Sequence, residues 1–433
     1  MRYPLMITCA TLHCENIQLS NHHMLGDNRV VGMRHAGGYT LRPSPFPSRP
    51  RCDRRFISVP VSALKDMDLS LRRNEREKRV ENVDGPFYVD RTCIDCDTCR
   101  WMAPSTFSRV GRQSAVVAQP EDGAARVQAL RALISCPTHS IHVSNRSPEE
   151  LKEAQEGLPA RVPNVELSPA AMELKGPGTP AGTAATATAD GVYYTGWASV
   201  SSIAACAYLI VRQGGNILVD VPRYSPVLAR RIEALGGVRY IFMTHRDDVA
   251  GHQEWARHFG ARRVFHELEV NTRQGTDEVE VKLSGEGPWF LDGDGEVVSA
   301  AALTGTDGAA AGELAAPCDL TFIFTPGHTE GHVCLYYAPY KVLFSGDHLC
   351  SAWGEVEGAP QDELFIYTNF NWYSVPEQLR SVTKLLQYDW LHVLPAHGRR
   401  AHFPDATARN SSALRLAAAA APSKPNAESR YGR

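Results

Sequence analysis

Three cysteines stand two residues apart in the stretch CIDCDTC, as Cys93, Cys96 and Cys99, and a remote fourth, Cys136, is followed by Pro137. Three thiolates on one tight loop hold three corners of an iron–sulfur cube and a distant fourth closes it, so the spacing points to one [4Fe-4S] cluster. With all four thiolates present, the four-iron form is expected over a three-iron one. A zinc knuckle is the rival, but zinc sites usually group their ligands as two pairs. The chain has eleven cysteines, and the rest are scattered with no second such pattern. That usage fits metal-binding thiolates in a reducing compartment and not a secreted disulfide framework.

A second constellation lies further along. RYIFMTH ends at His245, with Asp247, Asp248 and His252 just beyond it; TFIFTPGH ends at His328, KVLFSGD at Asp347 and LHVLPAH at His397. Each is an apolar, strand-like run closing on a hard ligand. In layered α/β folds such strand ends converge at one edge, so ligands distant in sequence meet there. One histidine at a strand end is usually structural; four His/Asp ends in one region predict a site for one or two divalent ions, zinc or iron.

The elements that must position these residues are readable in outline. AARVQALRALIS predicts a helix whose Val127, Leu130, Leu133 and Ile134 face a small core and which delivers Cys136. SPVLARRIEALGG predicts another, with Ser225 as N-cap, Pro226 at the first turn and Gly236-Gly237 closing it. From 191 to 405 short strands alternate with helices. The stretch KGPGTPAGTAATATADG has almost no large apolar residue, and residues 146–190 are expected to be a flexible linker. DGDGEVVSAAALTGTDGAAAGELAAP is expected as a surface loop. Residues 406–433 are expected as a disordered tail. Up to residue 60 there are eight Arg and three acidic residues; an Arg- and Ser-bearing, acid-poor segment over 1–80 suggests a transit peptide, hence a chloroplast location.

The 433 residues predict two or three domains. With 43% hydrophobic and 21% charged residues and a formal net charge of -3, no nucleic-acid or membrane partner is suggested. No apolar run approaches bilayer length.

Residues 85–145 resemble single-cluster bacterial-type ferredoxins, down to the AP after the third cysteine and the CP at the fourth. Residues 192–400 are similar to the metallo-β-lactamase superfamily, on TPGHTEGH, FSGDH and PAHG. The resemblance implies an αββα sandwich preceded by a small α+β ferredoxin-like domain. It also implies metal ligation by His245, His328, His397 and Asp347, the last as bridge, with Asp220 structural. The first loop departs from the family's His-x-His-x-Asp-His: Asp247 fills the second-histidine place, and Val249 and Ala250 stand where the Asp-His pair belongs. Three readings follow: a degenerate loop; Asp248 and His252 as replacement ligands; or His252 as ligand with Asp248 as catalytic base. We expect a working site with His245, Asp247, His252, His328, Asp347 and His397 as ligands and Asp248 as the base. His332 and His348 are expected behind the ligands, and His258 and His266 at the surface or in structural roles. Extra carboxylate tilts the site from zinc toward iron or manganese. The implied activity is hydrolysis of a small-molecule thioester, ester or lactone. The alternatives are an iron-dependent oxidoreductase fed by its own ferredoxin module, with a redox partner protein, and a non-catalytic redox sensor or scaffold.

Overall fold

The computed structural model describes residues 76–169, 171, 190–291, 295–299 and 319–419, all within one compact unit, 60–433. Most of the expected transit segment, the stretch 172–189, most of the expected surface loop (300–318) and the chain beyond 419 lie outside the described residues.

The cysteine unit is two small antiparallel ladders and two helices. Strand β1 (Phe87–Val89) pairs with β4 (Ile141–Val143), and β2 (Phe107–Val110) with β3 (Gln113–Val116). Helix α1 (Thr98–Met102) follows the first cysteines; α2 (Gly123–Ser135) starts at Asp122, whose carboxylate accepts the Ala125 N–H at 2.7 Å, and ends at Cys136. Leu130 and Ile134 of α2 are buried, which aims the helix end at the cysteine loop.

The expectation of a linker from 146 is corrected. Residues Pro148–Glu156 form helix α3, started by a capping box in which Ser147 and Glu150 satisfy each other's backbone N–H groups. Ala160–Arg161 then form β5, which pairs with β6 (Gly191–Tyr194) at the edge of a large sheet. That sheet has seven strands in the order β11-β10-β9-β8-β7-β6-β5, adding β7 (Tyr208–Val211), β8 (Ile217–Val219), β9 (Tyr240–Phe242), β10 (Arg262–His266) and β11 (Val281–Leu283). Strands β8 to β11 run parallel.

The second seven-stranded sheet has the order β13-β12-β14-β15-β16-β19-β20. Its strands are β12 (Trp289–Leu291), β13 (Val297–Ser299), β14 (Leu320–Phe324), β15 (Val333–Tyr337), β16 (Val342–Gly346), β19 (His392–Pro395) and β20 (Ala401–His402); a short ladder of β17 (Cys350–Ser351) and β18 (Leu364–Phe365) stands apart. Alternation assigns its faces. Leu320, Phe322, Leu335 and Phe344 point inward to the first sheet, whereas Ile323, Cys334, Tyr336 and Leu343 point outward. Phe242 meets Phe322 across the gap at 5.0 Å between ring centres, and Tyr208 meets Phe344 at 5.6 Å. Each such buried ring contributes on the order of 1.5–3 kcal/mol, enough to fix the register of one sheet over the other.

Helices cover both outer faces. The first sheet carries α4 (Pro226–Ala234) and α5 (His252–Phe259), through Leu228, Ile232 and Trp255. The helix over 226–234 begins at the expected Ser225, although that side chain makes no capping bond. The second carries α6 (Val375–Leu385) and α7 (Ala406–Ala419), through Val382, Leu385 and Ala413. The arrangement is an αββα sandwich preceded by a small α+β unit, as expected. The disordered tail from 406 is corrected: Arg409 of α7 is buried and donates to the carbonyls of Tyr388 and Trp390 at 2.8 and 2.9 Å.

Candidate functional site

Two cradles emerge. In the first, Cys93, Cys96, Cys99 and Cys136 line one pocket with Val89, Ile94 and Ile141. Asp95 and Asp97 have left-handed φ of 62° and 64°, a conformation Asp tolerates. These two bends turn three successive cysteines inward. The N–H groups of Ser114 and Ser140 lie 3.4 Å from the sulfurs of Cys93 and Cys136. Burial pushes the Cys96 thiol up to about 11 and that of Cys99 well above its ordinary value. Four converging sulfurs in a largely apolar pocket, ionised only against a cation and met by N–H groups, fit a [4Fe-4S] cluster.

The second cradle lies where β9 of one sheet and β14, β16 and β19 of the other end together. His245 and His328 place their Nε2 atoms 3.6 and 3.7 Å from Asp347 Oδ2. Asp247 Oδ2 is 3.8 Å from His245 and 3.4 Å from His328. On the other side of Asp347, His397 Nδ1 lies 2.8 Å from Oδ1 and 3.7 Å from Asp248 Oδ2. Asp347 is thus shared by two groups with metal-ligating geometry: His245, His328, Asp347 and Asp248, Asp347, His397. Nε2 of His245, both nitrogens of His328 and both oxygens of Asp248 are buried without a hydrogen-bond partner. Buried polar groups left unpaired are costly, and a cation at their focus satisfies them together.

The electrostatics agree. Burial pulls the His245 imidazolium down, but Asp248, Asp347 and Asp247 overcome it and hold its proton well above the ordinary value. His397 is likewise desolvated yet raised to about 10 by Asp347 and Asp248. Burial pushes Asp248 up to about 8 against His397 and His245. Asp347, although buried, is held well below the carboxylate range by His397 and His245.

Supporting groups fix these positions. Thr244 donates its hydroxyl to Asp220 at 3.0 Å and lies 2.9 Å from His245 Nδ1, which leaves Nε2 facing the cradle. Buried Glu269 accepts the N–H of Arg246 at 2.8 Å and of Gly331 at 2.7 Å, tying the first loop to the second. Gln378 of α6 donates to the His348 carbonyl at 2.8 Å. Gly327, between the second loop and α6, has φ of 157°, and a Cβ there would lie 2.3 Å from the Gln378 backbone. Gly346, just before Asp347, is closed in by Thr244 and His332 in the same way. Sequence reasoning missed Glu269 and Gln378, which no local motif marks; Thr244 was signalled only by adjacency to His245.

The first loop differs from expectation at two places. His252 is not a ligand: at the start of α5 its Nε2 lies 3.0 Å from the Gln274 carbonyl and its Nδ1 3.2 Å from Arg263, away from the cradle. Asp248, expected as a free base, sits with Asp347 and His397 in a group that could hold an ion, because Arg246–Asp248 form a 3-10 turn that swings its carboxylate inward. His332 stacks on His245 at 5.3 Å and lies 5.4 Å from His348, both fully buried behind the ligands. His258 pairs with Glu233 near the surface, and His266 stacks on Phe324.

Residues 89–143 match the 4Fe-4S single cluster domain of Ferredoxin I, and residues 205–397 match the metallo-beta-lactamase superfamily. Over 141 residues the chain is 31% identical to hydroxyacylglutathione hydrolases of Salmonella paratyphi B and Salmonella newport, covering 32% of this chain and 44% of each relative. The match therefore spans less than half the length of those relatives. Among solved structures, VMB-1 is 19% identical with a TM-score of 0.34, covering 50% of this chain and 86% of that one. A metallo-beta-lactamase of Cronobacter sakazakii is 20% identical with a TM-score of 0.30, covering 48% and 77%.

Proposed function

The 89–143 segment is a single-cluster 4Fe-4S domain and the 205–397 segment a metallo-beta-lactamase superfamily domain, and from that premise we propose that the chain is a metal-dependent hydrolase of a small-molecule thioester, ester or lactone. The observation that supports this most is the Asp347 carboxylate, shared between two His/Asp groups. A divalent ion held there supplies Lewis acidity and an activated water. The chain's own residues do the rest. Asp347 spans the two groups, Asp248 and His397 complete the second of them, and the His245 and His328 rings close the floor. Asp247 is 35% exposed and His397 23%, so the open mouth, where a carbonyl enters, lies on their side. The name of the partial relatives, a glutathione thioester hydrolase, puts thioesters first among the substrates to try.

The test is release of free thiol from model thioesters, and of acid from esters and lactones, by protein loaded with zinc, manganese or iron. Turnover should follow the ion content of the second cradle and vanish in Asp347→Asn; an ion-loaded chain inactive on all three classes overturns the reading.

A second reading has its own support. Two imidazoles and one carboxylate, His245, His328 and Asp347, form the donor set of non-haem iron sites, and here they lie in the same unit as an iron–sulfur domain. An iron-dependent oxidoreductase drawing electrons through the cluster from a redox partner would use both. Preferential retention of iron over zinc by the purified second cradle favours it. Among the described residues no helix is long and apolar enough to cross a membrane. We read residues 1–80 as a chloroplast transit segment, to be tested by imaging a fluorescent fusion of them.

A further inference from the structure

The two cradles meet at one buried junction. Asp97, between Cys96 and Cys99, accepts Nε and Nη2 of Arg399 at 2.5 and 3.0 Å, and Arg399 stands two residues past His397. The side chains are only 11% and 14% exposed. The next residue, Arg400, places its guanidinium 4.4 Å from the ring centre of Trp101, on the same short helix as Cys99, and 5.5 Å from that of Tyr208. Tyr208 donates its hydroxyl to the Pro395 carbonyl at 2.9 Å, and the Cys206 N–H donates to the Ala396 carbonyl at 2.7 Å. The strand end that carries His397 is thus gripped on one side by the first sheet and on the other by the cluster loop. Cys206 is itself buried against this strand end.

A buried ion pair is a poor way to join two domains when an apolar contact of the same size stabilises as well. What the pair provides that apolar packing does not is a short bonded bridge, from the cysteine loop through a carboxylate and a planar guanidinium to the backbone beside His397. Electron transfer falls off steeply across van der Waals gaps and much less across covalent and hydrogen bonds.

We propose that the Asp97–Arg399 pair, flanked by Arg400 and Cys206, is the electron-transfer contact between the cluster and an iron ion in the second cradle, so that the two act as one redox pair. The inference rests on the second reading above, in which the cysteines hold a cluster and the His/Asp cradle an iron ion. The step moves one electron. The reduced cluster gives it up and returns to its oxidised form, a ferric ion in the second cradle becomes ferrous, and no bond is made or broken. The electron enters from a one-electron donor protein, for which dithionite stands in during the test.

The experiment uses the full chain, prepared without oxygen, with the cluster assembled and ferric iron loaded. It is mixed with limiting dithionite and freeze-quenched, and the loss of the ferric EPR signal is followed in time from the point at which the dithionite absorbance has gone and the reduced-cluster signal has formed. In the wild type the decay should be independent of protein concentration. Arg399→Leu and Asp97→Asn should each slow it by an order of magnitude or more at unchanged iron and sulfide content, with Arg399→Lys, which keeps the charge but not the fork, in between. Equal rates in all four proteins, or a decay that scales with protein concentration, overturn the inference and leave both sites standing. A wild-type chain that takes up no ion in the second cradle overturns the reading and the inference together. Should either substitution cost the cluster, the wild type decides through EPR relaxation of the reduced cluster with zinc or cobalt in the second cradle. Severalfold faster relaxation with cobalt supports the contact, and identical relaxation overturns it.

Discussion

The cysteine cradle takes three of its four ligands from one loop, aimed by two left-handed aspartates and completed by one helix end. The His/Asp cradle takes its groups from the ends of four strands in two different sheets, and His245, after β9, meets the other three only where the two sheets stack. The first is a local device, the second a product of the whole sandwich. Damage to the first should therefore stay local, whereas damage to the second should depend on whether a ligand, a shared ligand or a support is touched.

The largest effect expected is from Cys99→Ala. It should remove about four iron atoms and the accompanying sulfide per chain, read by elemental analysis and visible absorption, while the second cradle keeps its ion. Loss of both would show that the two cradles are not independent. Next comes Asp347→Asn, which takes the shared carboxylate from both groups and should empty the second cradle with the cluster intact. Asp248→Asn should cost at most the ion on the His397 side, which separates the two groups by metal count.

A smaller effect is expected from Thr244→Val. The hydroxyl that orients His245 is lost but no ligand is, so affinity should weaken roughly 10- to 100-fold, measured by chelator competition. Proton competition gives a pH test of comparable size. Without an ion, His397 holds its proton up to about pH 10 and Asp248 up to about pH 8. An entering cation must displace those protons, so apparent affinity should fall as pH is lowered through 8, with proton release visible by calorimetry in buffers of different ionisation enthalpy. The smallest effect is expected from His252→Gln, which should leave ion content unchanged.

The same contrast explains what the sequence could tell. Cys93, Cys96, Cys99 and Cys136 were legible because their spacing is itself the geometry. His245, His328, Asp347 and His397 were legible because each closes an apolar run, and the runs do form β9, β14, β16 and β19. The first loop was not, since a 3-10 turn and the attraction of Arg263 and Gln274 decide which side chains point inward, and neither is written in residue spacing. Within the 146–190 stretch expected as linker, the helix over 148–156 is hidden by its polar composition, and only the Ser147–Glu150 capping box marks it. The tail fared likewise: Arg409 anchors α7 by bonds to carbonyls that only the folded sheet presents.

The hydrophobic core runs without a break from Phe87, Leu130 and Ile141 of the cysteine unit to Tyr194, Leu218 and Phe242 of the sandwich. The consequence is one of biogenesis. The cysteine unit and the sandwich share one interior, so they close together on one chain and not by the later docking of a separate ferredoxin. A cell short of iron or sulfide would be left with a folded chain whose cysteine cradle is empty.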